Sequence, residues 1–133
     1  MTCDGKGLMM DRKTVLVVDD HAPTRQAYAA FLLDCGYHVL EAAHGGEAIL
    51  HMYTHRPDVV LMDIMMPGLD GVDTALSLRE RWPAARMPIV AVTGSQSAIE
   101  QERMRGLCSA VLLKPCPPDV IASHVKTLVD AAA

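Results

Sequence analysis

The chain alternates, five times over, between a short apolar run and a longer amphipathic stretch. The runs are Thr14-Val15-Leu16-Val17-Val18, Tyr37 to Glu41, Val59 to Met62, Ile89-Val90-Ala91-Val92 and Ala110 to Leu113. Each is too short for a helix, and most are rich in β-branched residues, which suits buried strands. The first run is continuously apolar, as a strand covered on both faces must be. The longer stretches predict helices. Pro23 opens the first, which continues through Tyr28, Phe31 and Leu32 and stops at Cys35-Gly36. After a His44-Gly45-Gly46 turn, Glu47 to Thr54 form the second, ending before Arg56-Pro57. Gly71 or Val72 starts the third, which ends near Trp82-Pro83. Ser97 with Glu100 forms a capping box for the fourth, which Gly106 ends. Pro117, Pro118 and Asp119 open the last, whose buried stripe is Ile121, Val125 and Leu128 with Val129 beside it. Strands alternating with helices predict an α/β fold of (βα)5 type: one parallel sheet, right-handed crossovers and helices on both faces.

Composition narrows the classes. A chain of 133 residues has the length of one domain, and half of its residues are hydrophobic. Only 4% are aromatic, so Val, Leu, Ile, Ala and nine Met must build the core. A formal net charge of −4 leaves no footprint for direct nucleic-acid binding. The four cysteines, Cys3, Cys35, Cys108 and Cys116, form no Cys-x-x-Cys pair, which argues against zinc and redox sites and for a reduced, cytoplasmic compartment. No stretch has signal-peptide character or approaches the ~18 apolar residues of a membrane span. Residues 1–11 read as a flexible leader and residues 12–130 as the domain.

The third run carries the strongest functional signal. It ends on a carboxylate, Asp63, and Pro67-Gly68 and Asp70-Gly71 then break the chain into a loop. In open α/β sheets, ligands sit at the carboxyl ends of strands. Asp19 and Asp20 follow the first run, Thr93 the fourth and Lys114 the fifth. Taken singly, an Asp or Thr after a strand is usually a cap or turn former, and a Lys a solvated charge. Together at one sheet edge they would place three acids, a hydroxyl and an amine in one crevice. Three close acids repel unless a cation is present. A hard divalent ion with oxygen ligands, Mg2+ rather than Ca2+, meets that need, because few protein oxygens are on offer. Lys114 and Thr93 can meet an anion, so the set describes a site for a phosphoryl group on or beside an aspartate.

These fragments resemble the receiver domain of two-component response regulators. The similarity covers Thr14 to about Val129 and rests on Val17-Val18-Asp19-Asp20, on Asp63 followed by Met66-Pro67-Gly68-Leu69-Asp70-Gly71, on Val92-Thr93-Gly94 and on Leu113-Lys114-Pro115. The resemblance implies a flavodoxin-like doubly wound sheet with strand order 2-1-3-4-5. It implies that Asp63 accepts a phosphoryl group from a sensor histidine kinase or a histidine phosphotransfer protein. Asp19, Asp20, Asp63 and the backbone carbonyl of Met65 would hold Mg2+. Thr93 and Lys114 would contact the phosphoryl oxygens, and the Lys114–Pro115 peptide would be cis. The module would then switch contacts with a downstream effector protein, and would not be an enzyme with a substrate of its own. The face formed by the fourth helix, fifth strand and fifth helix would serve partners or a homodimer. Three positions depart from the family: Val111 stands where an aromatic residue is common, Cys116 where Phe usually follows the lysine-proline pair, and Gly94 where Ala usually follows the threonine.

Other readings are weaker. Aspartyl-phosphate hydrolases commonly carry a second Asp two residues after the nucleophile, and Met65 stands there. A flavodoxin-like cofactor carrier needs a hydroxyl- and glycine-rich phosphate loop, where Asp19-Asp20 would repel a phosphate. A degenerate receiver would lack some of the charged positions, all of which are filled. His51 and His55 stand four apart with no third ligand in view, and Arg79, Arg81 and Arg86 around Trp82 read as a solvated helix end.

Overall fold

The computed structural model describes residues 12–64, 71–83, 86–94 and 98–132. Its elements run β1 (Thr14–Val18), α1 (Ala22–Asp34), β2 (His38–Ala42), α2 (Gly45–His55), β3 (Val59–Asp63), α3 (Gly71–Arg81), β4 (Ile89–Thr93), α4 (Ala98–Leu107), β5 (Ala110–Leu113) and α5 (Pro118–Ala132). One five-stranded sheet has the order β2-β1-β3-β4-β5. Every ladder is parallel, with Leu16 opposite Val60, Met62 opposite Ala91 and Thr93 opposite Leu113. The (βα)5 reading and its strand order hold.

Side chains alternate across a strand, so each strand feeds two cores. Leu16, Val18, Val60, Met62, Ile89 and Ala91 meet Met52, Leu78 and Met104 of α2, α3 and α4. Val15, Val17, Val59, Leu61, Val90 and Val92 meet Tyr28, Leu32, Ile121 and Val125 of α1 and α5. Burying one such aliphatic side chain contributes about 1.5–3 kcal/mol. The same parity assigns Asp63, two residues beyond Leu61, to the α1/α5 side.

Several boundaries differ from the sequence reading, each for a local reason. β2 begins at His38 and not at Tyr37, because the Tyr37 N–H turns back to the Leu32 carbonyl and closes α1. Gly36, at φ 99°, makes that closure. α2 includes Gly45 and Gly46, which the sequence placed in a turn. His44 caps it, its Nδ1 accepting from the Glu47 N–H at 3.2 Å while Glu47 Oε1 accepts from the Ala43 N–H at 3.1 Å. His21 caps α1 in the same way, through the Thr24 N–H. Imidazole falls outside the usual set of capping side chains, so these starts were hard to read. α4 runs through Gly106 to Leu107. The Ser97 of its expected cap lies outside the described residues.

Two expectations fail. Arg79 is not solvated: its Nε donates to the Leu107 carbonyl at 2.6 Å, and Nη1 donates to the carbonyls of Met87 and Trp82. The last turn of α3 packs near the end of α4, where carbonyls without helical partners need a donor. Arg81 instead lies over the Tyr53 ring, 5.5 Å from its centroid. The cysteines are also not all reduced. Cys108 and Cys116 are free thiols, but Cys35 is disulfide-bonded. A disulfide needs nearness in space, which sequence spacing does not report. His51 and His55 do sit on an exposed helix face, as expected.

Gly71 decides how closely α3 approaches the end of β3. A Cβ there would lie 2.5 Å from the Ile64 Cα and 2.7 Å from the Asp63 carbonyl oxygen. Gly71→Ala is expected to lower stability by about 1–3 kcal/mol, read from the urea midpoint. Gly106→Ala, whose Cβ meets nothing within 4 Å, should be neutral or raise stability by about 0.5–1 kcal/mol. Equal midpoints for the two variants would refute the close-approach account. Burial also pushes the Cys108 thiol up to about 11, against a smaller opposing pull from Arg79. Its folded value lies above the ordinary one of 9, so the stabilising effect of keeping it protonated is complete below pH 9 and fades as pH rises toward 11. At about pH 8 the native Cys108 thiol should react with an aromatic disulfide reagent at least roughly tenfold more slowly than in the unfolded chain.

Candidate functional site

The carboxyl ends of β1, β3, β4 and β5 lie along one edge of the parallel sheet. Asp19 extends β1 by one residue, its N–H donating to the Ala42 carbonyl at 3.1 Å. Its Oδ1 accepts from the His21 N–H at 2.8 Å. Its Oδ2 faces the Lys114 ammonium at 3.8 Å. The same ammonium lies 3.3 Å from Asp63 Oδ2. One amine from the tip of β5 thus bridges carboxylates from β1 and β3. Asp20 completes the acidic group: one oxygen from each of Asp19, Asp20 and Asp63 lies within 4.8 Å of the others.

Burial sharpens the electrostatics. Asp19 and Asp63 retain only 3% and 6% of their exposure, while Asp20 stands in solvent. Thr93 is buried at the tip of β4, one residue past Val92, the register partner of Asp63, and opposite Leu113 of β5. The Lys114 N–H donates to the Thr93 carbonyl at 2.8 Å, so the two residues hold adjacent strand tips. The Lys114–Pro115 peptide is cis, as the resemblance implied. Opposite unit charges about 4 Å apart attract by on the order of 4 kcal/mol at an effective dielectric near 20, before dehydration is counted. Among the described residues, three carboxylates against one ammonium leave a formal local charge of −2. Oxygen donors with that residual charge, two of them buried, suit a hard divalent cation.

Asp19, Asp20, Asp63, Thr93 and Lys114 therefore all come to one edge, as the sequence implied. Met65, whose carbonyl was expected among the ligands, lies outside the described residues. Val111, in place of the common aromatic, is partly buried against the core on the α2–α4 side.

Sequence reasoning missed two neighbours of the site. Arg25 Nη1 donates to the Asp19 carbonyl at 3.0 Å, and its Nε pairs with Glu41 at 3.0 Å, tying α1 and β2 to the end of β1. A cation in the first turn of a helix is unfavourable without an acceptor, and that was the available signal. Tyr28 is buried on α1, and its hydroxyl donates to the Cys116 carbonyl at 3.1 Å. A tyrosine within an apolar helix stripe implies a buried partner for its hydroxyl, but cannot say which.

The family model "Response regulator receiver domain" matches residues 15–126. The phosphate regulon transcriptional regulatory protein PhoB of Pseudomonas aeruginosa is 31% identical over 87% of this chain, which covers 51% of PhoB. The polar-differentiation response regulator DivK of Brucella anthropi is 31% identical over 77% of the chain and 85% of its own length. A response regulator receiver protein from Pseudomonas putida superposes with a TM-score of 0.81 at 29% identity, over 87% of this chain and 97% of that one. The chain thus spans about half of PhoB but most of the DivK and Pseudomonas putida chains. Among the described residues no helix is long and apolar enough to cross a membrane. In sequence, in strand order and in the acidic edge beside Lys114, the chain belongs to the response regulator receiver domain family.

Proposed function

We propose that this receiver accepts a phosphoryl group on Asp63 and passes the change to a partner protein. The observation that carries the proposal is the Lys114 ammonium 3.3 Å from Asp63 Oδ2, with Asp19 and Asp20 completing an acidic group. The donor is a phosphohistidine on a sensor histidine kinase or a histidine phosphotransfer protein. An Asp63 carboxylate oxygen attacks phosphorus, and an O–P bond forms as the N–P bond breaks. The electron pair returns to the imidazole nitrogen, which takes up a proton. Lys114 and the Thr93 hydroxyl meet the oxygens of the transferring group.

Asp19, Asp20 and Asp63 would hold Mg2+, with the Met65 carbonyl as a further ligand. When bound, Mg2+ supplies positive charge that offsets the carboxylates and the incoming phosphoryl group. The module has no separate substrate, acts in the cytoplasm, and signals to an effector protein without touching nucleic acid itself. The face of α4, β5 and α5 serves that effector or a second copy.

Incubation with Mg2+ and acetyl phosphate, followed by intact-mass measurement, should show one added phosphate that is absent in Asp63→Asn. Lys114→Ala should slow the reaction by roughly 100-fold. A wild-type chain that stays unmodified with acetyl phosphate and with phosphohistidine donors would overturn the proposal. Mg2+ at about ten times its dissociation constant should raise stability by about 1.4 kcal/mol in thermal melts. Asp20→Asn should remove most of that gain, whereas identical wild-type melts with and without Mg2+ would argue against the metal site.

A further inference from the structure

Lys114 reaches the acids from a segment that side chains pack only partly. Leu113 is 48% exposed, and Lys114 itself keeps 30% of its side-chain exposure. Backbone hydrogen bonds must therefore do much of the placing. On the upstream side, the Lys114 N–H is held by the Thr93 carbonyl at 2.8 Å. Two residues downstream, the Cys116 carbonyl accepts the Tyr28 hydroxyl at 3.1 Å in a buried bond that spans 88 positions of sequence. The Tyr28 ring is seated in the α1/α5-side core with Val17, Val92, Cys116 and Ile121. Its anchor is thus part of the same packing that fixes β1 and β4.

We infer that the Tyr28 hydroxyl is a positioning group that sets where the Lys114 ammonium stands between Asp19 and Asp63. This rests on the phosphorylation reading above. Tyr28 acts from α1 through the Cys116 carbonyl and not on the phosphoryl group itself. The phenol is a donor at neutral pH at its ordinary pKa of 10.0, and burial first, then the nearby Cys116, Asp19 and Asp63, raise it further. A displacement of about 1 Å at a reacting group can cost orders of magnitude in rate, and a slackened tether should cost less.

Tyr28→Phe keeps the ring and deletes only the hydroxyl. It should slow acetyl-phosphate modification of Asp63 by roughly three- to tenfold when Lys114 is present. In the Lys114→Ala background the same change should slow it by less than about 1.5-fold, because the group it positions is gone. Amide exchange at Lys114 should rise at least roughly threefold in Tyr28→Phe, while exchange at Leu16 in the core keeps its wild-type rate. Unchanged Lys114 exchange, no slowing, or equal slowing in both backgrounds would overturn the inference and leave Tyr28 as packing alone. Failure of the wild type to accept phosphate would instead count against the function proposal, and the exchange measurement would still decide the role of Tyr28.

Discussion

Like charges held together against their repulsion are the constraint around which this fold is arranged. Asp19 and Asp63 are almost fully buried, and Asp20 brings a third carboxylate to the same edge. Alone, such a group would favour separation or protonation. The Lys114 ammonium, 3.3 and 3.8 Å from two of the acids, is a counterweight among the described residues. It offsets only part of the charge. The remainder leaves the edge formally negative, a charge that a hard divalent cation would offset.

That arrangement depends on parts of the chain with no charge to contribute. β3 lies between β1 and β4, so its carboxylate reaches the middle of the edge. Gly71 lets α3 start directly against the Asp63 and Ile64 backbone, a closeness any side chain would prevent. Arg25 satisfies the Asp19 carbonyl from α1, and Tyr28 satisfies the Cys116 carbonyl from the same helix. The site is therefore framed by α1 on one side and by strand tips on the other. Far from it, Arg79 gathers the carbonyls of Trp82, Met87 and Leu107, tying the ends of α3 and α4 to the start of β4. Burial lowers the tendency of this guanidinium to stay charged, and three carbonyl acceptors oppose that cost.

Much of this was legible before any coordinates. The five apolar runs marked the strands, and Asp19, Asp20, Asp63, Thr93 and Lys114 stood at or just past their ends. Strand runs could be read because burial on both faces forces continuous apolar sequence. Helix starts were harder where His21 and His44 replace the usual capping residues. Arg79 looked like a surface charge because its acceptors are main-chain carbonyls, and every residue type carries one. The disulfide at Cys35 was invisible for a related reason: spacing along the chain says little about distance in space.

By itself, then, the sequence determined the order of strands and helices, the parallel sheet and which charged residues lie near its carboxyl edge. Local patterning carries that information because strand and helix periods differ and parallel topology aligns the strand ends. Only the tertiary structure decided which oxygen of Asp19 faces Lys114, that Gly71 must be bare, and that a tyrosine 88 positions away holds the turn after the lysine. Those facts depend on distances of a few ångströms between segments remote in sequence, and no local pattern encodes them.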